Sequence, residues 1–559
     1  QVVQAMGSGG GWPLSVFLTC DQRPFFGGTY FPPDDGFERP GFKKVLRAVS
    51  DLYKSEKDRI IEYSGRLMDS IKPVPVKGGE ISKSYIDKAV TTIFAHFDPR
   101  NGGFGSSPKF PMPGAIEFLI NRYFFTGEES VGFAVKKTLE SMARGGLYDQ
   151  IGGGFHRYSV DEAWVIPHFE KMADDNSWHL RNYVDAYSVF GHEYFKEIAS
   201  GIVSFTRNVL SDPGGGFYAS RDADIDPADE GGYFTWTNEE FRDILNDEEY
   251  EVLSLHLLND RGSMHHDRSK KVLFVSMEAE EIAEKTGKDE QAVCRILESG
   301  KNKLLEHRNE KEPPFIDKTS YTSLNGMMIS SYLKASRAMR DESLKDFALK
   351  SLRKILDGRF INKELFHTED VRAFLDDYIY IIDALIAAYE ITGAASHLLL
   401  ADYLMESALN KFRDKGEGGF FDTEDEIVEM RLKGIEDVPH PSTNSLGIVL
   451  LLKLHLMTGK EAYKSYAESS LTAFSSKARD MGLHSAYYFC AMDAYFNMLK
   501  LTIQASPESD LAQAALSTFR PYAALVYAED KGFVIPCFND ICYEPIHSPE
   551  KLKHFLQSR

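Results

Sequence analysis

The sequence predicts a mainly α-helical protein whose bulk is an (α/α)6 toroid, six inner helices wrapped by six outer ones, and two observations predict it. Apolar residues recur at helical spacing nearly throughout from Ile81 to about Ile503, with candidate helices starting near residues 82, 113, 131, 168, 193, 322, 342, 372, 396, 442, 461 and 484. Between them a glycine-aromatic punctuation returns at Gly102-Gly103-Phe104, Gly153-Gly154-Phe155, Gly215-Gly216-Phe217, Gly231-Gly232-Tyr233 and Gly418-Gly419-Phe420, a degenerate internal repeat. Six helix pairs joined this way close into a ring with a cavity at its mouth.

Before the ring, 14–18 and 25–31 are strand-forming runs about a Thr19 to Pro24 turn, a β-hairpin. Apolar residues from Phe42 to about Ile71 then keep helical spacing, one long amphipathic helix on that hairpin. The stretch 72–79 holds two prolines and two glycines without periodicity, so the expected division is 1–78, a toroid over 79–505 and a tail over 506–559. Residues 237–314, charged and with a candidate strand at 272–275, read as an insertion, and the tail reads as a β-hairpin (524–527, 532–536) plus a helix (551–556).

The 559 residues carry 84 acidic and 64 basic side chains, a formal charge of -20, the wrong sign for a protein that neutralises phosphates, so nucleic acid is not an expected partner. Every apolar run is broken before the eighteen or so residues a membrane span needs, so no membrane partner is expected. Five scattered cysteines make no disulfide scaffold or zinc spacing and favour a reducing, cytoplasmic compartment; Cys537 and Cys542, five apart about a turn, either pair, bind a metal with outside ligands, or stay free. The chain opens on Gln1 with no leader pattern and reads as an N-terminally truncated copy.

Helices expected on the inside begin with polar groups: Asn325 after Tyr321, Asp376 and Asp377, Ser442 and Asn444, and His168 with Glu170. Unpaired N–H groups at such ends suit hydroxyls or carboxylates of a polyol, while ordinary N-capping explains each residue singly. The densest stretch runs from Tyr148 to His179 and holds Asp149, His156, Arg157, Asp161, Trp164, His168, Glu170 and Asp175. A helix from His168 would align His168, Met172, Asp175 and His179 on one stripe, an imidazole and a carboxylate on one cavity face. That pairing suits proton transfer on a sugar or hydrolysis of its glycosidic bond, with His156 and His168 as acid and base. Asp222 and Asp224, in a DxDxD run without the glycine and glutamate of a calcium loop, and Trp236 read as sugar-facing rather than metal-binding. No cofactor and no metal site is expected; the expected partner is a sugar-like small molecule. A non-catalytic ligand sensor or scaffold stays open beside the enzyme reading.

These residues also carry a resemblance. Gly10-Gly11-Trp12-Pro13-Leu14, Phe26-Gly27-Gly28-Thr29-Tyr30-Phe31-Pro32-Pro33, Pro108-Lys109-Phe110-Pro111, the run from Tyr148 to Ser159, Pro167-His168-Phe169-Glu170-Lys171-Met172, Leu375-Asp376-Asp377-Tyr378 and Pro441-Ser442-Thr443-Asn444-Ser445 together resemble the spermatogenesis-associated protein 20-like family. The resemblance implies an N-terminal thioredoxin-like α/β domain, partial here, before an (α/α)6 toroid similar to those of N-acylglucosamine 2-epimerases and six-hairpin glycosidases. It places a cysteine motif of the form CHWCH upstream of this start, which would supply thiol redox chemistry, and makes Pro13 the cis-proline of the thioredoxin-like sheet. Two departures, Leu324 where the family has tryptophan and Asp437-Val438-Pro439-His440-Pro441 where it has an Asp-Gly-Ala-Glu-Pro type run, fall at inner-helix starts and imply altered ligand choice or lost activity.

Overall fold

A computed structural model describes residues 2–7, 13–36, 40–71, 78–226, 229–426, 430–539 and 541–558. The Gly10-Gly11-Trp12 motif, with the peptide bond before Pro13, and most of the expected linker lie outside the described residues. The chain forms two compact units, Gln1–Lys77 with Thr423–Leu432, and Gly78–Asp422 with Lys433–Arg559.

In the first unit, Ser15–Leu18 pairs antiparallel with Pro24–Gly28, the expected hairpin. The single long helix is instead two, Phe42–Ser55 and Lys57–Ile71, because Glu56 leaves helical geometry at φ -127° while the Ser55 hydroxyl bonds back to the Asp51 carbonyl. Phe25, Val45, Val49 and Ile60 form its core, and Ser64 donates to the Pro24 carbonyl at 3.0 Å.

The second unit is built on twelve helices: α1 Lys83–Phe94, α2 Pro113–Thr126, α3 Glu129–Arg144, α4 Ala173–Phe190, α5 Glu193–Asn208, α6 Thr322–Met339, α7 Glu342–Arg359, α8 Leu375–Thr392, α9 Ala395–Phe412, α10 Thr443–Thr458, α11 Glu461–Met481 and α12 Ala486–Asn497. The helices α2, α4, α6, α8, α10 and α12 each pack on the next, and α12 returns to α2, so the inner ring is closed. Outside it α3, α5, α7, α9 and α11 each pack on the inner helix before them, and α1 completes the sixth pair with α12. Inner helices are apolar nearly all round, as buried helices must be: α8 and α10 bury Ile379, Ile382, Leu385, Leu446, Leu450 and Leu454.

The repeat has a specific physical content. In the loops entering α2, α4, α6 and α10, an aspartate (Asp98, Asp149, Asp212, Asp414) donates its backbone N–H to the second glycine of the pair, while the first glycine donates back to its carbonyl, at 2.8 to 3.1 Å. Each aspartate carboxylate accepts N–H groups of the same turn and meets a lysine: Lys109 at 2.7 Å, Lys171 at 2.7 Å, Lys354 at 3.2 Å and Lys433 at 2.5 Å. A hydroxyl of the outer helix that follows, Thr138, Ser351 or Ser470, accepts the N–H of Gly103, Gly216 or Gly419. In three of these loops an asparagine from the inner helix's first turn clamps the phenylalanine backbone from both sides. Asn176 holds Phe155 (2.8 and 3.0 Å), Asn325 holds Phe217 (2.7 and 3.1 Å), and Asn444 holds Phe420 (2.7 and 2.9 Å). The second glycine must be glycine: Gly103 sits at φ +77° with the Trp164 ring 2.4 Å from where a Cβ would stand. Gly231-Gly232-Tyr233 lacks this construction and is not a copy of it.

Between α5 and α6, residues 237–314 carry the helices Asn238–Ile244, Asp247–Leu257, Ala279–Thr286 and Glu290–Glu310 around Trp236, Phe241, Val252, Leu253, Val293 and Leu304. The expected strand at 272–275 is absent: Lys271 alone makes bridges, to Trp236 and Ser263. The tail also differs from expectation. Leu499–Gln504, read as the end of the helical region, is an inner strand of a four-stranded sheet, parallel to Ala523–Tyr527 and antiparallel to Phe533–Phe538. The two strands expected to form a hairpin therefore flank it, and its alternating burial, Leu499, Leu501 and Ile503 inward, is the period of two that the sequence reading passed over. Cys537 and Cys542, opposite each other in the sheet, are disulfide-bonded; Cys20, Cys294 and Cys490 are free. Among the described residues no helix is long and apolar enough to cross a membrane.

The clamp gives a direct expectation. Asn325→Ala strands the buried N–H and carbonyl of Phe217, and at about 1–3 kcal/mol per orphaned group should lower stability by roughly 2–6 kcal/mol. Chemical unfolding is the measurement, and Asn176→Ala and Asn444→Ala should show losses of the same order.

Candidate functional site

Side chains crossing between neighbours knit together the N-terminal ends of the inner helices α6, α8, α10 and α12. Asp377 of α8 accepts the Ser323 N–H of α6 (2.9 Å) and its own Phe374 N–H (2.8 Å). The Thr443 hydroxyl of α10 donates to Asp376 of α8. Asp437 accepts the N–H groups of Ser442 (2.9 Å) and Tyr487 (2.8 Å), tying α10 to α12.

At α4 the rim departs from the expected helix. His168 lies on a short strand, Pro167–His168, paired with Tyr158–Ser159, and Lys171–Met172 forms a sheet with Ser220–Arg221 and Ile316–Asp317; the helix starts only at Ala173, whose N–H goes to the Ala219 carbonyl. The pull is ionic: the Lys171 ammonium reaches Asp149 (2.7 Å) and the Gly153 carbonyl (2.8 Å), which holds its backbone extended. The stripe His168, Met172, Asp175, His179 therefore does not exist. His179 packs in the core on the Phe155 ring, centroids 4.4 Å apart, and burial pushes its pKa down to about 3.

Along the rim several buried polar atoms have no protein hydrogen-bond partner. His168 stacks on Tyr158 (5.0 Å), itself stacked on Phe110 (4.8 Å), and its Nδ1 is buried and unbonded. Asp174 Oδ1, Asp175 Oδ2 and Trp178 Nε1, all on the first two turns of α4, are likewise buried and unbonded. Burial, and then the Asp174 charge, raise Asp175 well above the ordinary carboxylate range. Arg157 and Glu170 form an ion pair at 3.2 Å whose charges act on Asp175. The Tyr380 hydroxyl lies 3.1 Å from both His440 Nδ1 and the Pro441 carbonyl oxygen, and the charges of Asp376 and Asp174 act on it. Asp422 is exposed as a whole residue, but local desolvation of its carboxyl, then the charges of Asp376 and Glu436, push it up to about 7.

Several expected site residues are placed as scaffold instead. Asp149 belongs to the repeated turn; against the burial that would raise it, Arg308 (3.0 Å) and Lys171 hold its carboxyl well below the usual range. His156 is 2% exposed, its Nδ1 2.8 Å from the Phe169 carbonyl oxygen, and burial followed by the Lys171 charge keeps it neutral. Asp161 accepts the N–H groups of Ala163, Val165 and Ile166. Trp164 is fully buried with its Nε1–H on the Asn101 carbonyl, and Trp236 is inside the insertion's core. Asn325 and Asn444 are the clamps, Ser442 caps α10 through the Ser445 N–H, and Asp377 holds His367 Nδ1 at 2.9 Å. Asp224 accepts the Gly231 N–H at 2.6 Å, and Asp222 stands exposed with its N–H on the Phe315 carbonyl. Among the described residues the one set of three acidic or histidine side chains close enough to share an ion, Glu230, His265 and His266, involves none of these residues.

Sequence reasoning missed Asp422 and Tyr380. A signal for Asp422 exists: it lies two residues past the phenylalanine of its Gly-Gly-Phe loop, where Arg157 lies past Phe155. Tyr380 was hidden among the apolar residues of α8.

Because Asp422 and Asp175 bind protons more tightly folded than unfolded, their contribution favours the fold at low pH and is lost as pH rises, for Asp422 between about 4 and about 7. Asp422→Asn should therefore gain stability relative to the parent as pH rises across that window. Urea unfolding from pH 4.5 to 7.5 checks the sign.

Residues 1–72 match the family model Thioredox_DsbH, described as "Protein of unknown function, DUF255". The human protein "Spermatogenesis-associated protein 20" is 29% identical over 637 aligned residues, covering 99% of this chain and 80% of that protein. The Caenorhabditis elegans "Uncharacterized protein B0495.5" is 32% identical over 524, covering 85% and 70%. Among solved structures, D-mannose isomerase (TM-score 0.45, 11% identity, 71% of this chain and 85% of that one) and the Bacteroides thetaiotaomicron family 76 glycoside hydrolase Bt3792 (TM-score 0.43, 11%, 73% and 97%) are similar. With relatives aligned across nearly its whole length, the chain belongs to the spermatogenesis-associated protein 20 family.

Proposed function

We propose that the toroid mouth binds a polyhydroxylated small molecule of the sugar class and moves protons on it. One observation carries this reading: two adjacent carboxylates, Asp174 and Asp175, each with a buried unbonded oxygen, on the same rim as the unbonded Nδ1 of His168. Buried polar atoms are ordinarily paired, and a set of orphans at one rim is what a hydroxyl-rich ligand would satisfy. Asp175, held protonated, is the acid; the His168 imidazole is the base. Arg157 and Glu170 offer a donor and an acceptor for hydroxyls, and Asp376 with Asp422 acceptors and a proton across the rim.

Two reactions use these roles. For proton transfer beside a carbonyl, His168 takes the C–H proton while Asp175 protonates the carbonyl oxygen, giving an enediol, and return of a proton to the carbon regenerates the carbonyl. For hydrolysis, Asp175 protonates the leaving glycosidic oxygen as the C–O bond breaks, and His168 takes a proton from the attacking water. His156, sealed behind Phe169 and Phe234, has no part in either.

The test is thermal unfolding against monosaccharides, disaccharides, amino sugars and uronic acids, since a ligand at about 100 times its Kd adds roughly 2.7 kcal/mol. The sugar that stabilises the chain is then incubated in deuterium oxide and followed for exchange at carbon and for release of reducing ends. Asp175→Asn should keep binding and lower turnover by about a hundredfold or more. Binding with no exchange and no hydrolysis makes the toroid a non-catalytic sensor, a reading supported by Leu324 and His440, which stand at the rim in place of the family's tryptophan and acidic run. No stabilisation by any sugar overturns both.

A further inference from the structure

A second, chemically different set of side chains lies apart from those used at the mouth. Glu230 and the adjacent histidines His265 and His266 each present a ligand atom, and these atoms lie within 4.8 Å of one another. Three donors held about 2.0–2.2 Å from one tetrahedral ion are roughly 3.4 Å apart, so holding one asks the donors to close by at most about 1.4 Å.

The backbone carrying them is anchored. The turn bearing Glu230 is fixed by the Gly232 and Phe234 N–H groups on the carbonyls of Asp229 and Gly231. The loop bearing the histidines is closed by Met264 N–H on the Lys270 carbonyl. Tyr233 and Phe234 from one loop and Met264 from the other share a small core with Phe169 and Val272. Lys270 bonds both oxygens of Asp229, at 2.5 and 2.6 Å, and Asp229 Oδ1 lies 3.6 Å from His266 Nε2. A carboxylate beside a ligating imidazole is the usual way its ring is oriented.

We infer that Glu230, His265 and His266 bind a divalent first-row transition ion of the zinc class. Two imidazoles and one carboxylate form a nitrogen-rich set that selects zinc, cobalt, nickel or copper over calcium and magnesium, which take oxygen. Three protein ligands leave a position for water. The ion staples the turn at 229–234 to the loop at 263–270, and both rest on Phe169, which the chain places between His168 and Glu170 of the mouth. Occupancy would thus stiffen one flank of the rim without touching the reacting groups.

The full chain, stripped of metal with a chelator, is titrated with Co2+ and then Zn2+. One equivalent of Co2+ with the visible spectrum of a tetrahedral site, displaced by Zn2+ and not by Ca2+, is expected. His265→Ala and Glu230→Gln should each weaken it at least tenfold, and the double variant His265→Ala/His266→Ala should remove it, while His192→Ala, an exposed histidine elsewhere, leaves it intact. Amide exchange over 229–234 should slow with Zn2+ in the parent and not in the double variant. Absence of the bound equivalent in the parent, or its full retention by the double variant, overturns the inference; circular dichroism of each variant separates lost binding from lost fold.

Discussion

The turn that opens inner helices of this ring is held by a charged side chain rather than by apolar packing. An aspartate folds the loop onto itself, a lysine neutralises it, and in three of the four loops an asparagine of the following helix grips the phenylalanine backbone from both sides. Helix-helix packing alone tolerates sliding and rotation, because apolar contacts are non-directional. Hydrogen bonds to a fixed backbone do not. The repeated turn therefore sets where α2, α4, α6 and α10 begin, and hence which of their residues stand at the rim.

That constraint decides the chemistry of the rim. The loop phenylalanine enters the core, Phe155 and Phe217 at no more than 1% exposure, and two residues later come Arg157 in one copy and Asp422 in another. At α4 the same ionic device goes further. Lys171, drawn to Asp149, keeps 171–172 extended, so the helix starts at Ala173 and Asp174 and Asp175 fall in its first turn. An acidic pair there meets the positive end of a helix, yet burial, and then the Asp174 charge, outweigh that benefit for Asp175 and move it well above the ordinary carboxylate range.

Legibility in the sequence followed the same division. All twelve ring helices were readable, since each is long and its apolar period unbroken, with starts such as 113, 193, 322, 342 and 461 matching directly or within a residue. The glycine pairs marked the repeat, but its working parts, Asp414 to Lys433 or Gly216 to Ser351, join residues far apart in the chain and carry no local pattern. For that reason Asp149, Asn325 and Asn444 looked like ligand groups and turn out to hold the turns. The helix start near His168 failed because Lys171 has a partner twenty-two residues away that overrides helical periodicity. Leu499–Gln504 failed because a six-residue alternation is easily absorbed into the end of a preceding helix.

The interior of the ring treats its carboxylates differently from the rim. A cavity of about 200 Å3, closed in part by tail residues from Ala515 to Ala523, is lined by four carboxylates, of which three have cations: Asp383 with Arg181 at 2.9 Å, Asp185 with Lys334 at 2.5 Å, and Glu390 with both Arg337 and Lys453, while Glu117 accepts the Tyr487 hydroxyl. Even so paired, Asp185 is raised to about 6 by burial. At the mouth the balance shifts further, because the cations acting on Asp175 and Asp422, Arg157 and Lys477, are bound to Glu170 and Glu436 instead. In a chain with a formal charge of -20, carboxylates are abundant; what distinguishes Asp175 and Asp422 is that the nearby cations are committed to other carboxylates. An acid without a committed counter-charge relieves a desolvated charge by binding its proton more tightly, which is the direction in which both Asp175 and Asp422 are moved.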